Sequence, residues 1–149
     1  MKKTQPMITT VLGAIEEALS VAEELRDELE NWKDSLPENL QSGSKADEIQ
    51  EAIDMLEEGI SKLEDAQNGD DTIHQYEFSY EMPVLSPSAL RRISRAKRLE
   101  QATAALEYAP ADLPEDFVDH DDADDMSDVL NDAQEALDLL NQVNFPGMR

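Results

Sequence analysis

The chain has 149 residues, 40% of them hydrophobic but only seven aromatic, and 35 acids against 12 bases give a net charge of −23. That length supports one domain with a modest core. The charge argues against nucleic acid or an anionic membrane as a direct partner and favours a basic protein surface. The lack of cysteine excludes disulfides, thiolate metal sites and a cysteine nucleophile, and no apolar run is long enough to span a bilayer.

The opening "MKKTQPM" begins like a signal peptide, but Glu16 and Glu17 interrupt the apolar segment after it and no small-residue cleavage site appears. The expected location is the cytoplasm of a host cell. Residues 7–34 carry helical periodicity. Ile8, Leu12, Ile15, Leu19, Ala22 and Leu29 form a stripe that Val11, Ala14, Ala18, Val21, Leu25 and Trp32 widen. So broad a band faces a core rather than a coiled-coil seam. Pro37 and Gly43 break the pattern, with Ser44 a candidate cap for the next helix. Residues 45–67 form this second amphipathic helix through Ile49, Ile53, Leu56, Ile60 and Leu63. The connector's Leu36 and Leu40 are expected to tuck over the end of an antiparallel hairpin.

The acidic end of the first helix, "EELRDELENW", runs into "LPENLQSGSKADEIQEAIDMLEEGISKLEDA". On these stretches residues 8–68 resemble small acidic helical-hairpin proteins encoded by phages and mobile elements. The resemblance implies such an origin, covers under half the chain, and carries over no functional residue.

Residues 72–85 change period. His74, Tyr76, Phe78, Tyr80, Met82 and Val84 alternate with polar residues, as a strand would. This is the one strand the pattern predicts, and a lone strand leaves its backbone unsatisfied. It is expected to lie extended across the helices with its aromatic face inward, or to pair through Tyr76, Phe78 and Tyr80 with a second copy or a partner. Ser86 and Pro87 then signal a helix over residues 87–108. Its "RRISRAKR" holds five of the twelve bases, with Arg91, Arg95 and Arg98 on one face. These are expected to pair with carboxylates of the hairpin or the last helix rather than with phosphate. Residues 109–124 read as an acidic loop that Phe117 and Val118 could anchor. Residues 125–143 give a last helix with Met126, Val129, Leu130, Ala133, Leu137, Leu140 and Val143 inward. The expected fold is therefore a single, mainly α domain: an antiparallel helical hairpin, two further helices and one short extended β segment.

"FVDHDDADDMSDV" places six aspartates in thirteen positions. A calcium loop is excluded: starting at Asp119, Ala123 stands at the fifth position and Leu130 at the twelfth, where oxygen ligands are required. No metal ion or other cofactor is expected. His74 and His120 are far apart, and no phosphate loop, nucleophile elbow or His-Glu metal motif occurs, so no enzyme is expected. What remains is acid density. Glu16, Glu17, Glu23, Glu24, Asp27, Glu28, Glu30 and Asp34 lie on the first helix, and Asp47, Glu48, Glu51, Asp54, Glu57, Glu58, Glu64 and Asp65 on the second. At about 1.5 Å of rise per residue, eight acids in nineteen positions approach the roughly 3.4 Å phosphate spacing of one DNA strand.

The leading expectation is a non-enzymatic inhibitor, a phage counter-defence factor of anti-CRISPR or anti-restriction type. It would occupy a basic surface of a host nucleic-acid-binding protein by charge mimicry. The partner-binding candidates are Glu16, Glu17, Glu23, Glu24, Asp27, Glu30, Asp34, Asp47, Glu48, Glu51, Asp54, Glu57, Glu58, Asp119, Asp121, Asp122, Asp124, Asp125 and Asp128. The alternative is a structural adaptor or homodimer that uses Tyr76, Phe78, Tyr80 and the apolar helix faces.

Overall fold

The computed structural model describes residues 4–40, 42–84, 86, 88 and 93–146. Helix α1 spans Val11–Ser35 and α2 spans Ser44–Gln67. Thr10 caps α1: its Oγ1 accepts from the Gly13 N–H at 3.0 Å, which satisfies one of the four donors a helix start leaves open. The helix ends where Leu36 turns extended ahead of Pro37. At the start of α2 the N-cap is Gly43, not Ser44, which is already helical. In the connector Leu36 packs on the core, whereas Leu40 is exposed.

The last helix, α6, spans Ala123–Asn141. The middle of the bundle is α2, which packs along α1 on one side and α6 on the other. Two glycines permit the second contact. A Cβ on Gly59 would lie 2.6 Å from Leu140 Cδ2, and one on Gly69 would run into Val129 Cγ2. Ile15, Leu25, Leu29, Ile49, Leu56, Leu63, Met126, Leu130 and Leu140 are fully buried between the three helices. Apolar burial of this extent is the main stabilising term.

Because α1 and α2 are antiparallel, the end of α2 returns the chain to the start of α1. There a one-turn helix α3, Asp71–His74, is capped by Asp70 Oδ1, which accepts from the Thr72 and Ile73 N–H groups. His74, expected at the head of the strand, is instead buried at 4% exposure, with Nε2 2.7 Å from the Ala66 carbonyl.

Strand β2, Glu77–Pro83, comes next and pairs antiparallel with β1, Thr4–Thr10. The lone strand thus finds its partner inside the chain. Residues 7–10, expected as the first turn of α1, are extended, and Ile8 points into solvent at 74% exposure. Pro6 and the run Ile8-Thr9-Thr10 favour extended backbone over helix. Tyr76, Phe78 and Tyr80 pack on the core while Glu77, Ser79 and Glu81 face water.

The third helical region is described from its Ser94 cap onward, as α4 (Arg95–Ala102) and α5 (Ala104–Tyr108). Pro87, the expected first helical position, and residues 89–92 lie outside the described residues. The two pieces are separated at Thr103, a buried residue whose Oγ1 bonds back to the Leu99 carbonyl at 3.0 Å. Such back-bonding bends helices. In the loop after α5, Phe117 anchors edge-on against Tyr76, at 6.1 Å between ring centroids, while Val118 is exposed.

Candidate acidic interface

On α1 the apolar stripe turns inward and leaves Glu16, Glu17, Glu24, Asp27, Glu30 and Asp34 exposed; Glu23 is half-buried. On α2, Asp47, Glu48, Glu51, Asp54, Glu57 and Glu58 are exposed by the same geometry. The row on α1 extends over about 27 Å, at about 1.5 Å per residue. Ion pairs join Asp27 to Arg26 and Glu48 to Lys45. Both are solvent-exposed pairs of small energetic weight.

The two rows meet at a groove lined by Glu30, Lys33, Asp34, Gln50, Ile53 and Glu57, about 240 Å³ in volume. Lys33 Nζ donates to Gln50 Oε1 at 2.6 Å, and Gln50 Nε2 donates to Asp54 Oδ1 at 2.8 Å. The one lysine in the groove is therefore tied to the amide, and the carboxylates of Glu30, Asp34 and Glu57 line its walls.

A second acidic concavity, about 350 Å³, lies between the end of α2 and the start of α6. It gathers Asp65, Asp70, Asp125, Asp128 and Asp132 around Gly69 and Val129. Two acidic stretches far apart in the sequence, residues 1–70 with 18 acids against 6 bases and residues 109–149 with 12 against 1, adjoin here. Burial pushes the Asp132 carboxyl above its ordinary range. The Lys62 ammonium opposes that, and Asp65, Glu135 and Asp128 reinforce it. Lys62 itself bridges to Glu135 on α6 at 2.9 Å. Among the described residues no set of three such side chains is placed to hold a metal ion.

Asp119, Asp121 and Asp122 are exposed on the turn leading into α6, and Asp124, Asp125 and Asp128 are exposed on the helix itself. Asp124 and Asp125 fall in its first turn, where negative charge is favourable against the helix dipole. Asp65, Asp70 and Asp132 were not among the expected partner-binding residues. The spacing of Asp125, Asp128 and Asp132 by three and four was a readable stripe, whereas the approach of Asp65 and Asp70 to it was not.

Glu28 leaves the acidic row. Its carboxylate takes a fork from Arg98, Nη1 to Oε1 at 2.8 Å and Nη2 to Oε2 at 2.7 Å, and a third contact from Arg95 Nε at 3.2 Å. The Arg98 hydrogen bond leads in holding the Glu28 carboxyl below its usual range, against a smaller opposing effect of burial. Arg95 also lies over the Trp32 ring, 5.4 Å from its centroid. Two members of the basic strip are thus paired with one carboxylate of α1; Arg91 lies outside the described residues.

The aromatic candidates are placed differently from the acids. Phe78 and Tyr80 lie 6.5 Å apart, as do Tyr80 and Tyr108 of α5. These rings pack mainly within the chain, so the row works as a cover for the core. Among the described residues no helix is long and apolar enough to cross a membrane. No protein-family model, curated protein or solved structure matches the chain.

Proposed function

We propose that the protein is a non-enzymatic inhibitor that occupies a basic, nucleic-acid-handling surface of a host protein by charge mimicry. A phage counter-defence role of anti-CRISPR or anti-restriction type is its concrete form. The observation that carries the reading is the continuity of negative charge. Exposed carboxylates on α1, α2 and the start of α6 adjoin one another, while Arg95 and Arg98 are folded onto Glu28. Such a surface attracts a positively charged groove over distance and competes with phosphates for it.

The test uses four reversals at the α1/α2 groove: Glu30, Asp34, Asp54 and Glu57 to lysine. Each adds two units of charge, so together they take the net charge from −23 to −15. Capture from bacterial lysate should recover one nucleic-acid-binding protein, released by salt or by competing DNA. The reversed variant should keep its helical circular dichroism and lose that protein. Unchanged affinity in a folded variant refutes charge mimicry.

A further inference from the structure

The small sheet has an open edge whose hydrogen-bond pattern fits a copy of itself. The register pairs Thr9 with Phe78 and Thr10 with Glu77. One rung further on, the Val11 N–H donates to the Tyr76 carbonyl at 3.0 Å. That bond sets the phase of the ladder. In an antiparallel pair, hydrogen-bonded and non-bonded residues alternate. Gln5, Met7 and Thr9 therefore bond to β2, whereas Thr4, Pro6, Ile8 and Thr10 turn their backbone groups outward. The two prolines agree with this phase, since Pro6 faces Glu81 and Pro83 faces Thr4 and neither has an N–H to give.

The outward edge carries few of the usual defences against pairing. Edge strands are protected by charge, proline, bulges or a covering element. No residue from Thr4 to Thr10 is charged, on a chain where 32% of residues are. Residues 4–8 are all exposed, and Ile8 is the most exposed of the large hydrophobic residues described. Among the described residues of the strand, the single defence is Pro6.

We propose that β1 pairs antiparallel with β1 of a second copy about a two-fold axis at Ile8. In that register the Ile8 N–H groups and carbonyls of the two copies exchange both bonds. Thr10 then faces Pro6 of the other strand. The Thr10 N–H donates to the Pro6 carbonyl. The return bond, which Pro6 cannot give, is not needed: Thr10 is the N-cap of α1, and an N-cap carbonyl already accepts the first bond of its helix. The gap left by Pro6 thus meets the one outward group that needs no partner. Other registers put Pro6 opposite a carbonyl that does. The product is a four-stranded sheet in the order β2–β1–β1–β2, with the two Ile8 side chains adjacent on one face. Its β2 strands lie about 14 Å apart, so Glu77 and Glu81 of the two copies are well screened from each other at physiological salt.

Sedimentation of the full chain across concentration and salt tests this. The expected species is twice the 16.7 kDa chain mass. Its association should tighten as salt rises from about 50 to about 500 mM, because each copy carries −23. That salt response is opposite in sign to the one expected for a basic partner, so the two readings fail separately. Ile8→Pro removes only an outward N–H and leaves the bonds to β2 intact. It should weaken the dimer at least tenfold, as expected for two lost hydrogen bonds at about 1 kcal/mol each, with the helical dichroism unchanged. Ile8→Lys, which puts charge on the edge, should act in the same direction. In the unaltered protein the Ile8 and Thr10 amides should gain protection from hydrogen exchange as concentration rises. A monomer under all conditions, a dimer indifferent to both variants, or a dimer in which these amides exchange freely overturns the proposal.

Discussion

Gly59→Ala puts a methyl group where α2 and α6 touch. The added Cβ would stand 2.6 Å from Leu140 Cδ2 and 2.9 Å from Leu140 Cγ, against about 3.5–4.0 Å for a comfortable carbon contact. Leu140 is itself buried and has little room to retreat. Overpacking of this kind costs about 1–3 kcal/mol. Against it stands the better helix propensity of alanine, about 1 kcal/mol in a helix interior. The net expectation is a loss of up to about 2 kcal/mol. Leu140→Ala alone should cost about 2–5 kcal/mol through lost burial and a cavity. In that background the methyl group has space, only the propensity gain remains, and Gly59→Ala should stabilise by up to about 1 kcal/mol. Urea denaturation followed by circular dichroism, at one protein concentration, measures all four corners of the cycle. The same sign for Gly59→Ala in both backgrounds would refute the packing of α2 on α6 through this glycine.

Glu28→Gln should destabilise by roughly 1 kcal/mol at neutral pH, the fork being partly exposed and screened. Because the folded-state pKa of Glu28 lies below its ordinary value, its contribution is present above the normal carboxylate range and is lost as pH falls through the lowered value. Urea midpoints of the two proteins should therefore converge in acid. Asp132→Asn should do the reverse. The folded-state pKa of Asp132 is raised, so its ionised form burdens the fold at neutral pH and the burden lifts as pH falls through the raised value. The variant should be more stable at pH 7, by less than about 1 kcal/mol, and the gain should vanish in acid.

The long helices were legible in the sequence because their cause is local. Apolar residues every three or four positions form a stripe that only a helix can bury, and this identified α1, α2 and α6 with most of their core residues. The outward position of the acids came from the same periodicity. The alternation of Tyr76, Phe78 and Tyr80 with polar residues likewise disclosed β2 and its inward face. Other features had a weak local signal or none. Ile8 fits the helical stripe although Pro6 and the run Ile8-Thr9-Thr10 favour extended backbone, and the return of the chain at the end of α2, which brings residues 77–83 beside it, decides for a strand. The pairing of Arg98 with Glu28, seventy residues away, was readable as a kind of partner but not as a particular one. The meeting of Asp65 with Asp125, Asp128 and Asp132 depends on how closely α6 approaches α2, which Gly59 and Gly69 permit. Composition and periodicity settled which residues face water and how much charge they carry. Which carboxylates share a groove, which are neutralised and which strand edge stays open were decided by tertiary packing, because those depend on contacts between segments far apart in the chain.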